Sequence, residues 1–474
     1  MTLPAKFVER VLRDLGGTEG AALCAALDAE PPVSVRLNPA KTGADTLPAG
    51  PDAGLPVPEA AGLPALAIAG RVPWSRDGRY LAVRPSFTLD PDFHAGAYYV
   101  QEASSQFVGH LLAAVRTEGA RILDLCAAPG GKTTLYASLA GPDGLVVANE
   151  IDRRRASVLA DNVRKWGTGN VAVTTCEPRA LGDFEAWFDV VAVDAPCSGE
   201  GMFRKDPDAR GEWSEGNVKQ CAARQDEILR EAWRALRPGG TLVYSTCTFN
   251  RDEDEGALER MAAWAGDEIA ESEETAVEDA WGIVCGRVGA FRTFRFYPHR
   301  TCGEGFFAAV ARKSFDAGGR VRAPKARRTV FAAVDRKTAG ELARWVQNPG
   351  GMHFAAVADT CYAWYAAQAD AVRTLSEALP VIYSGVALGQ VFKGVLKPDP
   401  ALAFFDGMNR GALPAAELDD EETLRFLRRQ DIAAGGLAEG MNLVCSRGRA
   451  LGFAKRIGAR VNNLYPSSLR IIKQ

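Results

Sequence analysis

The spacing of apolar residues predicts a mixed helical and β segment at the start of the chain. Residues 5–30 have helical spacing, and residues 33–38 alternate between apolar and polar positions as a strand does. Residues 41–70 are rich in Pro, Gly and Ala, which predicts a loop. Together these segments indicate an N-terminal α/β extension over residues 1–95.

From residue 121 onwards, short β-rich runs alternate with helical segments. The predicted strands are 122–125, 145–148, 171–174, 190–193 and 242–245, and the predicted helices lie near 132–139, 153–166, 218–236 and 254–264. Strands that alternate with helices of about 10–15 residues predict parallel β-α-β units and a doubly wound, Rossmann-like α/β sheet. Two later runs, 293–297 and 306–311, are close enough in sequence to close this sheet with an antiparallel hairpin. The core domain is therefore expected to span residues 96–313.

The remainder of the chain divides into a linker and two smaller modules. Residues 314–328 form a basic segment that contains Gly and Pro, which is typical of a linker. Residues 329–402 have the pattern of a mixed α/β module. Residues 403–474 contain short strands broken by Arg-Gly and Ile-Gly, so a small β-rich domain is expected there.

Length and composition restrict the class of protein. A chain of 474 residues is too long for one hydrophobic core, and its 47% hydrophobic and 24% charged residues exclude a collagen-like or mostly disordered protein. No apolar run approaches the roughly 20 residues that span a bilayer. The first ten residues carry charge where a secretory signal needs an apolar stretch. We expect a cytoplasmic protein without a membrane span, and a monomer.

The net charge of −3 on its own argues against a nucleic-acid partner, but the charges are unevenly placed. Residues 251–279 contain twelve acids and two bases, whereas residues 311–328 contain seven bases and one acid. Residues 441–474 contain seven bases and no acid. Separate faces of the protein could therefore carry opposite charge, and a basic face either binds phosphate groups or is simply solvated.

A glycine-rich turn follows the first predicted strand, in the sequence Asp124-Leu-Cys-Ala-Ala-Pro-Gly-Gly-Lys-Thr-Thr134. It resembles a Walker loop, but that pattern requires Gly where this chain has Cys126. The dinucleotide pattern G-x-G-x-x-G is also absent. Glu150 ends the second predicted strand, at a distance suited to accept hydrogen bonds from ribose hydroxyls. A glycine turn and a ribose acid without a phosphate cradle favour an adenosyl ligand that lacks phosphates.

Two cysteines follow the ends of predicted parallel strands. One strand ends at Asp194 and is followed by Cys197, and a later strand ends next to Cys247. The ten cysteines of the chain include no C-x-x-C pair, so neither a disulfide framework nor a metal site is expected. A single cysteine at such a place is usually part of the core. Two cysteines that would face the same crevice beside an acid instead indicate a catalytic site.

Methylation of carbon 5 of cytosine is a reaction that uses these groups. Carbon 5 is a poor nucleophile, and addition of a thiolate to carbon 6 activates it, which is nucleophilic catalysis. The addition is easier when ring nitrogen 3 is protonated or hydrogen-bonded by a nearby carboxyl group. After methyl transfer the carbon-5 proton must leave and the thiol must be eliminated. Two thiols and a carboxylate beside a methyl donor are the required parts.

These motifs resemble those of the Sun-type family of RNA cytosine-5 methyltransferases, most closely its bacterial, RsmF-like 16S rRNA branch. The resemblance is carried by Cys-Ala-Ala-Pro-Gly-Gly-Lys-Thr, Asp-Ala-Pro-Cys-Ser-Gly-Glu-Gly and Ser-Thr-Cys-Thr, in this order and spacing. Residues 36–41 and 96–105 are similar to the N-terminal region of the family, and residues 452–466 look like its PUA-like RNA-binding end. The resemblance implies a methyltransferase sheet, S-adenosylmethionine as cofactor and RNA, here small-subunit rRNA, as partner.

The resemblance also implies roles for individual residues. The cofactor would be bound by Cys126, Ala127, Ala128, Pro129, Gly130, Gly131, Lys132 and Glu150. Cys247 would attack carbon 6, Cys197 would help to release the product, and Asp194 would touch both cofactor and base. Lys132 belongs with these catalytic residues. Glu177 stands where similar members usually have Asp, at a place near the adenine.

Three other functions remain open at this stage. DNA cytosine-5 methyltransferases use a Pro-Cys nucleophile, which would make Cys197 the attacking thiol instead of Cys247. A transfer RNA is an alternative substrate. A ribosome-assembly or RNA-binding factor whose methylation is dispensable is a further alternative, and the basic C-terminal segment motivates it.

Overall fold

The computed structural model describes residues 2–43 and 63–472 of the chain. Most of the loop predicted over residues 41–70 therefore lies outside the described residues. The two ends of that segment are regular, because its first residues close a short helix and residues 68–71 form a strand.

The N-terminal part consists of short helices and a small antiparallel sheet. Its elements are α1 (Ala5–Leu15), α2 (Gly17–Ala26), β1 (Val33–Leu37), α3 (Pro39–Thr42), β2 (Ile68–Arg71), β3 (Gly78–Leu81), α4 (Pro91–His94) and β4 (Tyr98–Val100). The helical segment predicted over residues 5–30 is two helices, which separate at Gly16, where φ is +81°. The strand order is β2-β3-β1-β4.

The central part alternates strands and helices as predicted. Its elements are α5 (Phe107–Leu111), β5 (Arg121–Asp124), α6 (Gly131–Ala140), β6 (Leu145–Asn149), α7 (Arg153–Trp166), β7 (Val171–Thr174), α8 (Pro178–Gly182), β8 (Phe188–Asp194), α9 (Ala209–Glu212), α10 (Glu215–Ala235), β9 (Leu236–Thr246), α11 (Glu255–Ala265), β10 (Ile269–Ala270), β11 (Val284–Val288), β12 (Phe291–Phe296) and β13 (Phe306–Lys313). Every residue of β6 and β7 is buried, because helices cover both faces of a parallel sheet.

The central sheet confirms the doubly wound prediction. Its parallel strands lie in the order β7-β6-β5-β8-β9, and β13, β12 and β11 continue it in antiparallel fashion. The predicted closing hairpin is therefore present as β12 and β13. The chain winds from β5 to β7 in one direction and then returns to place β8 on the other side of β5. That reversal creates a crevice at the carboxyl ends of β5 and β8, where open α/β sheets bind ligands.

The C-terminal part contains two further sheets. Its elements are β14 (Ala332–Ala333), α12 (Arg336–Ala343), β15 (Met352–Val357), β16 (Thr360–Tyr365), α13 (Ala369–Ala378), β17 (Val381–Ser384), β18 (Val386–Phe392), β19 (Val395–Pro398), α14 (Pro400–Phe404), β20 (Ala415–Glu417), α15 (Asp420–Leu427), β21 (Gly440–Ser446), β22 (Arg449–Ile457) and β23 (Arg460–Asn463). β17 leaves these sheets and pairs with β7. The outer edge of the central sheet is thus covered by chain from beyond residue 313.

Buried ion pairs join the C-terminal part to the N-terminal part. Arg447 Nη1 lies 3.0 Å from Asp92 Oδ2, and Arg449 Nη1 lies 2.9 Å from Asp92 Oδ1. Asp92 is buried, so two bases of the acid-free segment are turned inward. None of the described helices has the length and apolar character that a membrane crossing requires.

Candidate active site

Five neighbouring parallel strands bring polar side chains to one edge of the central sheet. In spatial order, β7, β6, β5, β8 and β9 end at, or within three residues of, Glu177, Glu150, Asp124, Asp194 and Cys247. The carboxyl ends of parallel strands share an edge, so residues far apart in sequence meet there. This order places the two glutamates on one side of the crevice and the thiols on the other. We call these the glutamate side and the thiol side.

The turn between β5 and α6 has a shape that glycine adopts without strain. It contains a cis peptide bond between Ala128 and Pro129, and Gly130 follows with a φ of +108°. A Cβ atom at Gly130 would stand 3.0 Å from Leu159 Cδ1. Helix α6 begins directly afterwards at Gly131. The backbone N–H groups at its start are free of helical partners and suit a ligand in the crevice.

A buried arginine from the N-terminal part holds this turn. Arg36 Nε donates to Gln101 Oε1 at 2.7 Å, and Nη2 donates to Gly131 O at 3.0 Å and to Thr134 Oγ1 at 2.6 Å. The guanidinium also lies 4.5 Å from the centroid of the Trp166 ring. Burial lowers the pKa of Arg36 to about 10, so the side chain remains charged at neutral pH. Sequence reasoning noted the similarity of residues 36–41 but gave Arg36 no role.

The two glutamates of the glutamate side differ in exposure. Glu150 is buried, and its Oε1 accepts the backbone N–H of Asp152 at 3.1 Å. Arg155 Nη1 lies 3.4 Å from Glu150 Oε2. Glu177 is exposed at the start of α8 and makes no capping hydrogen bond with that helix. The structure therefore constrains Glu150 more tightly than Glu177.

Cys197 and Cys247 lie in adjacent loops after β8 and β9. Their Sγ atoms are 3.3 Å apart, and both side chains are half-buried. The hydrogen bond with Cys247, together with burial, raises the pKa of the Cys197 thiol well above its usual value. Burial and this contact therefore disfavour a thiolate at Cys197, and either thiol can be the donor between the two sulfurs. The two cysteines that the sequence analysis singled out thus form one pair.

A lysine from the glycine turn reaches the thiol side. Lys132 Nζ lies 2.8 Å from Asp194 Oδ2, and Ser245 Oγ donates to Asp194 Oδ1 at 2.8 Å. Burial alone would lower the pKa of Lys132, but the carboxylate of Asp194 outweighs it, and the pKa is raised. Lys132 thus stays charged, and both oxygens of Asp194 are fixed in place beside the thiols.

A second aspartate, Asp124, ends β5, the strand that pairs with β8. Asp124 is buried, and its Oδ2 accepts the Thr133 hydroxyl at 2.6 Å. Burial raises the pKa of Asp124 to about 7, and the neighbouring Asp194 carboxylate adds to the effect. Asp124 opens the glycine motif in the sequence, but only the structure shows that it lies between the two sides of the crevice.

Two buried glutamates near the thiols were missed by sequence reasoning. Glu253 Oε2 accepts the backbone N–H of Ser198 at 2.8 Å. Glu200 Oε1 accepts Trp213 Nε1 at 2.8 Å and lies 2.7 Å from Arg10 Nη2. Glu253 falls within the acidic segment 251–279, which suggested a charged surface. Their position in the sequence could have identified them, because each glutamate stands within six residues of a candidate thiol.

The polar groups at the crevice fit an adenosyl ligand that carries no phosphate. Carboxylates at Glu150 and Glu177 accept hydrogen bonds from hydroxyl and amino groups, and their negative charge repels phosphates. A phosphate-binding loop directs its lysine at the ligand. Here Lys132 is instead paired with Asp194. The donor and acceptor set therefore agrees with S-adenosylmethionine and disagrees with a nucleoside triphosphate.

Three family models match successive parts of the chain. Residues 3–103 match the N-terminal domain of 16S rRNA methyltransferase RsmF. Residues 111–312 match the 16S rRNA methyltransferase RsmB/F model, and residues 414–471 match the methyltransferase RsmF PUA domain. These matches follow the order of the three parts of the fold.

Curated relatives extend the match over most of the chain. Ribosomal RNA small subunit methyltransferase F of Shewanella loihica is 31% identical over 418 residues, which covers 84% of this chain and 83% of the relative. The chain belongs to the RsmF family of 16S rRNA methyltransferases. The RsmF protein of Escherichia coli is 32% identical over 424 residues and 84% of each chain.

Membership of the RsmF family confirms the predicted fold, the PUA-like C-terminal domain and S-adenosylmethionine as cofactor. A methyltransferase homolog from Pyrococcus horikoshii has a similar structure, with a TM-score of 0.52 and 26% identity. The match covers 66% of this chain and 100% of the homolog. The chain is therefore an S-adenosylmethionine-dependent RNA methyltransferase.

Proposed function

We propose that the chain methylates carbon 5 of cytosine in small-subunit ribosomal RNA through a covalent bond between Cys247 and the base. The observation that carries this proposal is the pair of thiols 3.3 Å apart, in the loops after two parallel strands. Asp194 ends one of these strands and is fixed by Lys132 at 2.8 Å. In this proposal residues 96–313 form the catalytic domain, and residues 1–95 and 403–474 bind RNA.

The glutamate side is proposed to hold the cofactor. When bound, S-adenosylmethionine supplies an electrophilic methyl group. Residues 126–132 would contact it through the backbone of the glycine turn, and Glu150 would accept hydrogen bonds from its ribose hydroxyls. Glu177 would lie toward the adenine, since it follows the next strand along the sheet.

Cys247 is proposed as the attacking sulfur. Its thiolate adds to carbon 6 of the base, and the electron pair of the carbon 5–carbon 6 double bond shifts so that carbon 5 becomes nucleophilic. As the sulfur adds, ring nitrogen 3 takes up the proton that the Cys247 thiol gives up, and the Asp194 carboxylate would accept the hydrogen bond of the resulting N–H. The raised pKa of Cys197 disfavours a thiolate at that sulfur, which supports Cys247 as the attacking group.

Cys197 is proposed to act in product release. Methylated carbon 5 still carries its proton, which a base must remove so that the double bond reforms and the Cys247 sulfur leaves as a thiolate. The hydrogen bond to Cys247 is the largest cause of the raised pKa of Cys197. Once the Cys247 sulfur is bonded to carbon as a thioether, this contact between two thiols is lost. In this proposal Cys197 then gives its own proton to solvent and its thiolate takes the carbon-5 proton, and the electron pair of that C–H bond reforms the double bond as the Cys247 sulfur leaves.

The target base must leave its helix before it reaches these thiols, at a cost of a few kcal/mol. Contacts between basic side chains and phosphates would offset this cost. Lys455, Arg460 and Arg470 are exposed in the C-terminal domain, unlike Arg447 and Arg449, which face the N-terminal part. RNA binding should therefore weaken steeply as salt concentration rises.

Two cysteine variants test the proposed division of roles. With 16S rRNA or small subunits and labelled methyl donor, Cys247→Ala should give neither methylation nor a covalent RNA adduct on denaturing gels. Cys197→Ala should accumulate that adduct, because attack proceeds and release fails. Cys285→Ala, at an exposed thiol, serves as the matched control.

The opposite result would overturn the assignment. Methylation by Cys247→Ala together with an inactive Cys197→Ala would make Cys197 the nucleophile. Bisulfite mapping of the methylated RNA would identify the base, and methylation at any atom other than cytosine carbon 5 would refute the proposed chemistry.

A further inference from the structure

We infer that Glu253 is a positioning residue that holds the two thiol loops together, so that Cys197 can act on the adduct formed at Cys247. The inference rests on the proposed function for its catalytic consequence, although not for its geometry. Glu253 touches neither sulfur in the hydrogen-bond network. It acts through Ser198 and Thr248, the residues that directly follow the two cysteines.

The first part of the argument is the contact with the Cys197 loop. Glu253 is fully buried, and its Oε2 accepts the backbone N–H of Ser198 at 2.8 Å. Its Oε1 accepts the Ser198 hydroxyl. Gln225 Nε2 donates to Glu253 Oε2 at 3.2 Å and to Pro196 O at 2.9 Å. One carboxylate therefore fixes the loop on both sides of Cys197.

The second part is the contact with the Cys247 loop. Ser198 Oγ also lies 3.0 Å from Thr248 Oγ1, so the hydroxyl that Glu253 accepts connects the two loops. Tyr244 Oη donates to Glu253 O at 2.6 Å, which anchors the glutamate to the strand that precedes Cys247. Gly201 N donates to Cys247 O at 2.9 Å and gives a backbone link between the same loops.

A buried carboxylate with several donors is costly to replace. Without it, the Ser198 N–H, the Ser198 hydroxyl and the Gln225 amide lose an acceptor in a place that water does not reach. The Cys197 loop would move until these groups find partners. A displacement of about 1 Å in a reacting group is enough to lower a rate by up to about 100-fold. Loss of Glu253 should thus separate the sulfurs and slow release.

The first experiment measures thiol proximity without RNA or cofactor. Diamide takes two hydrogen atoms from two thiols and leaves a disulfide, which peptide mass mapping detects between Cys197 and Cys247. Wild-type protein should form this disulfide readily. Glu253→Ala should form it on the order of tenfold more slowly. Glu253→Gln retains one acceptor and should be intermediate.

A stability control separates positioning from general damage. Asp92→Asn removes another buried carboxylate, at the junction with the C-terminal domain, and should lower the melting temperature without changing the disulfide rate. An unchanged disulfide rate in both Glu253 variants would overturn the inference.

The second experiment follows catalysis. Glu253→Ala should accumulate the covalent RNA adduct, with steady-state turnover reduced more than the single-turnover methylation rate. Cys197→Ala is the positive control. Equal loss of adduct and turnover in Glu253→Ala, while Cys197→Ala accumulates adduct, would overturn the inference. If Cys197→Ala forms no adduct, the proposed function fails, and the disulfide rates still decide whether Glu253 positions the thiols.

Discussion

The glutamate side and the thiol side of the crevice are built in different ways. On the glutamate side, the turn at Gly130 and the start of α6 form the site mainly from backbone groups. The Arg36 guanidinium holds this turn through hydrogen bonds to a carbonyl and a hydroxyl oxygen. On the thiol side, side chains make the site. Lys132 and Ser245 fix the carboxylate of Asp194, and Glu253 holds the Cys197 loop through Ser198.

This difference matches what each side has to do. A cofactor needs a fixed shape with a few aligned donors, which a short backbone turn supplies. Covalent chemistry on a base requires groups that change protonation within one cycle, and side chains alone do that. Lys132 connects the two sides, since it starts in the glycine turn and ends at Asp194.

The largest expected effect comes from Lys132→Met, which breaks the link between the sides. Asp194 would lose its ion pair and its fixed orientation, so the methylation rate at saturating cofactor and RNA should fall about 100-fold or more. The dissociation constant for S-adenosylmethionine, measured by calorimetry, should change less than about threefold, because Lys132 faces the thiol side. An affinity loss as large as the rate loss would show that Lys132 acts on the cofactor.

A smaller effect is expected from Arg36→Lys, which loosens the glutamate side alone. Lysine keeps the charge but lacks the several guanidinium N–H groups with which Arg36 reaches Gln101, Gly131 and Thr134 at the same time. The dissociation constant for S-adenosylmethionine should rise about tenfold, equivalent to about 1.4 kcal/mol. The rate of disulfide formation between the two thiols should stay unchanged. A slower disulfide in Arg36→Lys would show that the two sides do not behave independently.

The same contrast explains what the sequence could predict. The strand pattern, the glycine turn and the two cysteines are local features, and the order of the parallel strands follows from their alternation with helices. The sequence was therefore sufficient to predict which edge of the sheet carries the site and where most of the glutamate side lies. Its assignment of roles to individual residues depended on the resemblance, and those roles remain predictions.

The missed features depend on contacts between distant segments. Arg36 contacts a turn 95 residues away. β17 joins the central sheet from beyond the predicted linker. Glu253 lies in an acidic segment that resembles a solvated surface, and only the structure shows that it is buried and bonded to Ser198 and Gln225. Arg447 and Arg449 belong to the acid-free segment of the sequence, and only the structure shows their ion pairs with Asp92.

The smallest expected effect concerns Asp124, which lies between the two sides. Burial raises the pKa of this carboxyl from its ordinary 3.8 to about 7, so the folded chain holds a proton that the unfolded chain has released. Between about pH 4 and 7, rising pH therefore lowers the free energy of unfolding, by at most about 1.4 kcal/mol per pH unit for one group. Above pH 7 this contribution is constant. Burial raises the pKa of Glu253 to about 7 as well, which adds a slope in the same direction.

Asp124→Asn removes one of these contributions and keeps an acceptor for the Thr133 hydroxyl. The melting temperature of the variant should fall less than that of wild-type protein between pH 5 and 7, with a difference of about 2 °C per pH unit. Glu253→Gln should flatten the slope in the same way and also slow the disulfide, whereas Asp124→Asn should leave the disulfide rate unchanged. If the melting temperatures of wild type and Asp124→Asn changed equally with pH, the Asp124 carboxyl would ionise in the folded protein as it does in the unfolded chain. Asp124 would then be accessible to water, and no buried carboxyl group would separate the glutamate side from the thiol side.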